Sequence, residues 1–195
     1  RQSPFGNEHL LPRGTLREPP ANLSRANYIF LTKSDGSDSS ELIKRIRQYN
    51  PIAGIVETTH QALHLKNLYS DEQLPLEWLQ GKHIGAISGI ARPESFERKL
   101  TDLGCKLHIT ERFADHHRFS EKELNHFLSR CVRRDLAAVL TTEKDSVRFP
   151  LKPQQLDVPV YFLRVEIRIL EGQDVWDDLI KRICIPPPLM AQEYL

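Results

Sequence analysis

The chain has 195 residues, with 27 Lys and Arg against 26 Asp and Glu and a formal net charge of +1. That balance excludes the strong positive field with which nucleic-acid-binding domains gather a polyanion, and no nucleic-acid partner is expected. A chain that is 39% hydrophobic and 27% charged can bury a core, and none of its apolar runs approaches the roughly 20 residues that cross a bilayer as a helix.

The chain opens on an irregular stretch, Phe5-Gly6-Asn7-Glu8-His9-Leu10-Leu11-Pro12-Arg13-Gly14-Thr15-Leu16-Arg17-Glu18-Pro19. It mixes Gly, Pro, Asn and Arg without periodicity, as a rigid functional loop does. Tyr28–Thr32 reads as a short buried strand. Asp38 or Ser39 caps the next helix, whose apolar face is Leu42, Ile43, Ile46 and Tyr49. Ile52–Val56 is a second strand, followed by a less regular stretch to Gln80 in which Trp78 packs. Ile84–Ile90 is a third strand, and a helix runs from Pro93, where a missing N–H is harmless, to about Leu103, where Gly104 stops it. Lys106–Phe113 alternates as a strand. Ser120-x-x-Glu123 is a capping box ahead of Leu124, Phe127, Leu128 and Cys131. Ala137–Thr141 is a strand, the segment from Thr142 to about Arg148 a short helix, Val160–Leu170 a long strand and Val175–Ile183 an amphipathic helix. This alternation predicts an α/β fold: a mostly parallel sheet with flanking helices.

Cys105, Cys131 and Cys184 are far apart and form no Cys-x-x-Cys pair, so neither a zinc ribbon nor a disulfide framework is indicated and a reducing cytoplasm is the plain reading. The first residue is Arg and the single methionine is Met190, which leads to the expectation that an N-terminal part precedes this stretch. The expected organisation is a loop-rich tail over 1–26, an α/β domain over 27–185 and a C-terminal tail over 186–195 that starts with three prolines.

Three strands run directly into unusual polar sequences: Ser88-Gly89-Ile90-Ala91-Arg92-Pro93-Glu94, Asp115-His116-His117 and Thr141-Thr142-Glu143-Lys144-Asp145. Ligands bind outside the carboxyl ends of parallel strands, where helix N-termini also offer free N–H groups to anions. If the strands are parallel, the three segments share one edge. Gly89 reads either as no more than a tight strand-to-helix turn or as part of the ligand-binding edge. Arg92 at a helix start opposes the helix dipole, a cost easier to understand beside an anion. Thr142 and Asp145 read as a helix cap, with Lys144 either solvated or reaching a phosphate. Adjacent histidines point in different directions, and a carboxylate beside an imidazole can orient it and hold it protonated. Two neighbours do not make a metal site, and no metal ligand is assigned. Arg17 is a candidate bidentate phosphate ligand; its bland alternative is a surface pair with Glu18 or Glu8. No P-loop is present: the single Gly-Lys pair, Gly81-Lys82, is followed by His83, and Leu76 stands where the first glycine belongs.

The opening stretch closely resembles the segment F-G-N-G-x-x-L-P-x-G-x-L-R-E-P of tetraacyldisaccharide 4'-kinases. Gly89–Phe96 is similar to that family's G-I-A-R-P-E-x-F, Phe113–Phe119 to its F-x-D-H-H-x-[YF], and Thr142–Val147 to its T-E-K-D-A-V. The four motifs stand in family order across most of the chain; one departure is Glu8, where the family has Gly. The resemblance implies the remainder of a two-domain P-loop kinase whose nucleotide-binding segment lies N-terminal to these motifs. It implies transfer of the γ-phosphate of ATP, with Mg2+, to the 4'-hydroxyl of an acylated glucosamine disaccharide 1-phosphate. The partners implied are that glycolipid, ATP and the inner-membrane surface, with a peripheral location on its cytoplasmic face. Carried over by motif, His116 pairs with an aspartate base outside this chain and is held by Asp115, while Arg17 neutralises phosphate charge. Asn7, Glu18, Arg92, His117 and Lys144 are the substrate- or phosphate-binding candidates. Two other classes stand beside this reading. One is a metal-dependent phosphoesterase of the Asp-His-His type drawing on Asp35 and Asp38. The other is a non-catalytic glycolipid-binding domain in which Leu74, Leu76 and Trp78 are interfacial.

Overall fold

The computed structural model describes residues 4–151 and 157–184; Arg1, the prolines at 186–188 and the expected tail over 186–195 lie outside the described residues. The chain divides into two compact units, residues 1–60 with 167–195 and residues 61–166, a division that falls inside the span 27–185.

In the first unit a 3-10 turn over Pro20–Arg25 leads into β1 (Tyr28–Leu31), followed by α1 (Ser40–Tyr49) and the start of β2 (Gly54–Asn67). β1 pairs parallel with β2, from Tyr28 opposite Gly54 to Leu31 opposite Glu57. Leu42, Ile43, Ile46 and Tyr49 all turn away from solvent, as their spacing predicts. Of the two candidate caps, Asp38 supplies the oxygen: its Oδ1 accepts from the Ser40 N–H at 2.8 Å. The Ser39 hydroxyl is drawn instead to the buried Glu57, 2.7 Å away. Asn50, only 2% exposed, ties the end of α1 to the 3-10 turn by donating to the carbonyls of Leu23 and Ala26 at 2.7 and 2.8 Å. The end of β7 (Val160–Glu171) and α5 (Gln173–Cys184) complete this unit. α5 packs close to the sheet, because Gly54 leaves no room for a Cβ beside Val175 and Tyr28.

In the second unit the strands run in the order β2-β7-β6-β4-β5, with β3 (Gln73–Pro75) antiparallel on β2. β4 (His83–Ser88) pairs parallel with β5 (Lys106–Arg112) and with β6 (Ala138–Thr142), and β6 pairs parallel with β7. β4 is buried from Ile84 to Ser88 and β6 from Ala138 to Thr141, the continuous apolar run of strands covered on both faces. β5, at the edge, alternates. On one face α2 (Pro93–Asp102) brings Phe96 and Leu100 against Leu79, Ile84, Leu140 and Leu163. On the other α3 (Glu121–Val132) brings Leu124, Phe127, Leu128 and Cys131 against Ile87, Val139 and Val160. α3 begins with the capping box, Ser120 and Glu123 each bonding the other's backbone N–H. Trp78, Leu74 and Leu76 pack against the first of these clusters.

The stretch after Val56 is more regular than its sequence suggests. β2 continues to Asn67 and is followed by β3 and a 3-10 turn over Leu76–Leu79. Glu57, Thr58, Thr59, His60 and Gln61 hide it as a polar run. Glu57 is nonetheless buried, because the hydroxyls of Ser34 and Ser39 satisfy its carboxylate.

Candidate active site

Because β4, β5 and β6 are parallel, Ser88, Arg112 and Thr142 all lie at their carboxyl ends, and the three polar segments leave from one edge of the sheet. What joins them there is Asp145, which is wholly buried. It stands in α4 (Glu143–Ser146), capped by Thr142, whose hydroxyl accepts from the Asp145 N–H at 3.1 Å. The Asp145 carboxylate accepts from the Gly89 N–H at 2.9 Å, the Thr142 hydroxyl at 2.8 Å and the Arg148 guanidinium at 3.1 Å. The Gly89 carbonyl in turn accepts from the His116 N–H at 3.1 Å. A buried carboxylate with three donors is a satisfied one; Gly89 and Thr142 come from two of the motifs, and Arg148 stands just beyond the second of these. Gly89 does more than turn the chain: a Cβ there would stand 3.3 Å from both the Ala114 carbonyl oxygen and His117 Cβ.

The two histidines point apart, as expected. His117 stacks on Phe113 with ring centroids 4.5 Å apart, and its Nε2 lies 3.2 Å from Glu123. Glu123, hydrogen-bonded first by the Ser120 backbone and hydroxyl and then by His117, has its pKa pulled down to about 2. His116 faces solvent, its side chain 69% exposed, with backbone φ +68, in the left-handed region that a non-glycine residue occupies at a cost. Its ring was expected to be held by Asp115. The structure puts the Arg148 guanidinium closer, 2.8 Å from Nδ1, while Asp115 stands 3.6 Å from Nε2. The other oxygen of Asp115 takes Lys144, whose ammonium donates to it at 3.1 Å. That hydrogen bond is the main reason the Asp115 pKa is lowered. The edge therefore gathers Asp115, His116 and Lys144, with Arg92 exposed at the start of α2. It adds Arg148, which the sequence reading passed over, and gives Asp145 a larger part than a local cap. The signal for both was the spacing Asp145-x-x-Arg148, which puts carboxylate and guanidinium on one side of a helical turn.

Arg17, Asn7 and Glu18 belong to the other unit. Their loop folds back on itself: Leu11 N–H donates to the Leu16 carbonyl at 2.9 Å and Leu16 N–H to that of His9 at 3.1 Å. Gly14 makes this possible, since a Cβ would lie 2.1 Å from the His9 carbonyl oxygen and 2.2 Å from Asn7 Oδ1. Asn7 donates across the loop to the Arg13 carbonyl at 3.4 Å. Glu8 takes φ +65, which explains why glycine suits that place; its carboxylate meets Arg45 at 2.7 Å. Glu18 accepts from Arg25 at 2.5 Å and from Asn22 at 3.2 Å, which lowers its pKa. Arg17, whose alternative role was a pair with Glu18 or Glu8, stays exposed beside a Glu18 already bonded to Arg25.

Among the described residues no three His, Cys, Asp or Glu side chains cluster as a metal site. Asp35 and Asp38, the carboxylates a phosphoesterase would need, accept from Ser37 and Ser40 as a turn and a cap.

The family profile described as Tetraacyldisaccharide-1-P 4'-kinase matches residues 1–184. The chain belongs to the tetraacyldisaccharide 4'-kinase family. It is 37% identical over 176 residues to the tetraacyldisaccharide 4'-kinase of Anaeromyxobacter dehalogenans strain 2CP-C, a match covering 89% of this chain and 47% of the relative. It is also 37% identical over 183 residues to that of Elusimicrobium minutum strain Pei191, covering 90% and 47%. Among solved structures, LpxK from Aquifex aeolicus, in an "apo" form in complex with ATP, superposes with a TM-score of 0.55 at 23% identity, over 90% of this chain and 48% of that one. That similarity shows the fold. The chain spans about half the length of the curated relatives it matches.

Proposed function

We propose that this chain carries part of the active site of a tetraacyldisaccharide 4'-kinase, which moves the γ-phosphoryl group of ATP to the 4'-hydroxyl of a tetraacylated glucosamine disaccharide 1-phosphate in lipid A biosynthesis. The observation that supports it is that Asp145 binds Gly89 directly and reaches His116 through Gly89 and Arg148, so that three family motifs meet at the carboxyl edge of parallel strands. Phosphoryl transfer asks mainly for positioning and for neutralising charge on the transferred group. His116 sits exposed at that edge, ready to orient an aspartate base as the sugar hydroxyl loses its proton. Lys144 and Arg92 supply positive charge on the same edge, and Arg17, Asn7 and Glu18 supply the phosphate-facing loop. His117 holds the turn through Phe113 and Glu123. ATP and Mg2+ are the implied co-reactant and metal, and this chain has no P-loop with which to cradle the nucleotide. Peripheral attachment to the cytoplasmic face of the inner membrane completes the reading; among the described residues no helix is long and apolar enough to cross a membrane.

The test is phosphate transfer from ATP to a tetraacylated disaccharide 1-phosphate, by the protein expressed from its complete coding sequence. The expected product is the 4'-phosphate, with none formed from a disaccharide whose 4'-hydroxyl is blocked. Manganese-dependent phosphodiester hydrolysis without transfer would favour the phosphoesterase. Binding of glycolipid vesicles without turnover would favour a binding domain, although Leu74, Leu76 and Trp78 are spent on the core.

A further inference from the structure

The His116 ring has two nitrogens, and what each meets decides what the ring can do. Nδ1 lies 2.8 Å from Arg148 Nη2. A guanidinium has five N–H donors, no acceptor and a charge it keeps at every working pH. It can only donate, so Nδ1 must offer its lone pair, and the proton of the neutral ring then sits on Nε2.

Arg148 is not free to swing away. Its side chain is 16% exposed and pairs with the wholly buried Asp145. Nη1 donates to Asp145 Oδ1 at 3.1 Å and reaches toward the Gly89 carbonyl at 3.5 Å. The backbone is pinned as well: Arg148 N–H donates to the Asp145 carbonyl at 2.8 Å, and the Arg148 carbonyl accepts from Phe119 N–H at 3.1 Å. With Nη1 committed inward, the planar fork aims Nη2 at the ring. His116 is held from below by its own N–H on the Gly89 carbonyl, at 3.1 Å. His116 is thus held at its backbone and at Nδ1 by one buried carboxylate acting through Gly89 and Arg148.

We propose that Arg148 is a positioning residue that locks His116 in the tautomer with its proton on Nε2, so that the imidazole meets the reaction as a hydrogen-bond donor. The part of this concerning turnover rests on the kinase reading; the tautomer does not. In the transfer step the bond from the γ-phosphorus to the ADP oxygen breaks, and the bond to the sugar 4'-oxygen forms. The hydroxyl proton goes to the aspartate base. His116 takes no proton: its Nε2–H donates to that carboxylate and orients it. Asp115, 3.6 Å from Nε2 and bonded to Lys144, leaves Nε2 open to another oxygen.

The test uses the protein from its complete coding sequence, labelled with 15N-histidine, and its Arg148→Ala and Arg148→Lys variants. Long-range 1H–15N spectra at about pH 8, above the ordinary histidine range, read the tautomer directly. The parent should show His116 wholly in the Nε2–H form with Nδ1 bare, and Arg148→Ala should show both tautomers exchanging. In turnover, Arg148→Ala should lose on the order of ten- to a hundredfold in kcat at nearly constant KM for ATP and glycolipid. Millimolar guanidinium, too dilute to unfold the protein, should restore part of that rate. Arg148→Lys keeps the charge beside Asp145 and should fall between the two, which maintains the test if Arg148→Ala does not fold. A proton on Nδ1 of His116 in the parent overturns the proposal, as does an unchanged kcat in a folded Arg148→Lys and Arg148→Ala pair. If the parent transfers no phosphate but shows the Nε2–H tautomer, the kinase reading falls while the lock stands.

Discussion

Two regions of the molecule carry candidate residues, and they are built on opposite principles. At the carboxyl edge of β4, β5 and β6 the exposed histidine traces back to something buried. His116 hangs on Gly89 and Arg148, and both hang on Asp145, which water does not reach. In the loop from Phe5 to Pro19 the polar contacts are exposed, as with Glu8 on Arg45 and Glu18 on Arg25; shape there comes from backbone close packing at Gly14. A buried network is strong and all-or-none, because removing one member strands another in a low dielectric. Exposed pairs are each worth little, so a loop made of them tolerates the loss of any one. Damage to the buried members of the edge should therefore cost both fold and function, and damage to the exposed His116 ring or to the loop should cost function alone.

The largest effect is expected from Asp145→Ala. It leaves the Arg148 charge and the Gly89 N–H without their partner, and unfolding in denaturant should show a loss of about 3–5 kcal/mol. A loss below about 1 kcal/mol would mean that water reaches the edge and that the contrast with the loop is false. A smaller effect belongs to Glu123, at the foot of the Asp-His-His turn. Its folded pKa of about 2 lies below the ordinary 4.5, so the unfolded chain binds the proton more readily. Its stabilisation is fully present above pH 4.5 and is lost as pH falls from there toward 2. Glu123→Gln should flatten the acid limb of a stability-against-pH curve over that window, and an unchanged limb would remove the capping carboxylate from the account. The smallest stability effect is expected in the loop. Arg17→Ala should stay within about 0.5 kcal/mol of the parent, as surface substitutions do. Its phosphate transfer should nonetheless fall by on the order of a hundredfold. A thermal shift as large as that of Asp145→Ala would break the contrast from the other side.

Much of this was legible without coordinates. Apolar runs located β4 and β6, the Ser120-x-x-Glu123 spacing located the start of α3, and the alternation of strands and helices gave a sheet whose polar segments share an edge. β2 escaped because a buried Glu57 looks like an exposed one until the hydroxyls of Ser34 and Ser39 are seen beside it. Arg148 escaped for a related reason. A sequence shows that Arg148 follows Asp145 by one helical turn, but not that the guanidinium, once anchored, has a second nitrogen left for His116. Asp115, the sequence neighbour, was the natural partner for that ring; it stands 3.6 Å from Nε2, while the closer contact, at Nδ1, goes to a residue 32 positions away.

The central claim is that His116 serves phosphate transfer from an edge whose stability does not depend on it. The direct measurement is transfer from ATP to the tetraacylated disaccharide 1-phosphate by the parent and by His116→Ala, with thermal unfolding of both. His116 is mostly exposed, so the variant should unfold close to the parent's temperature while its turnover falls at least about a hundredfold. Equal turnover in the two folded proteins would contradict the account.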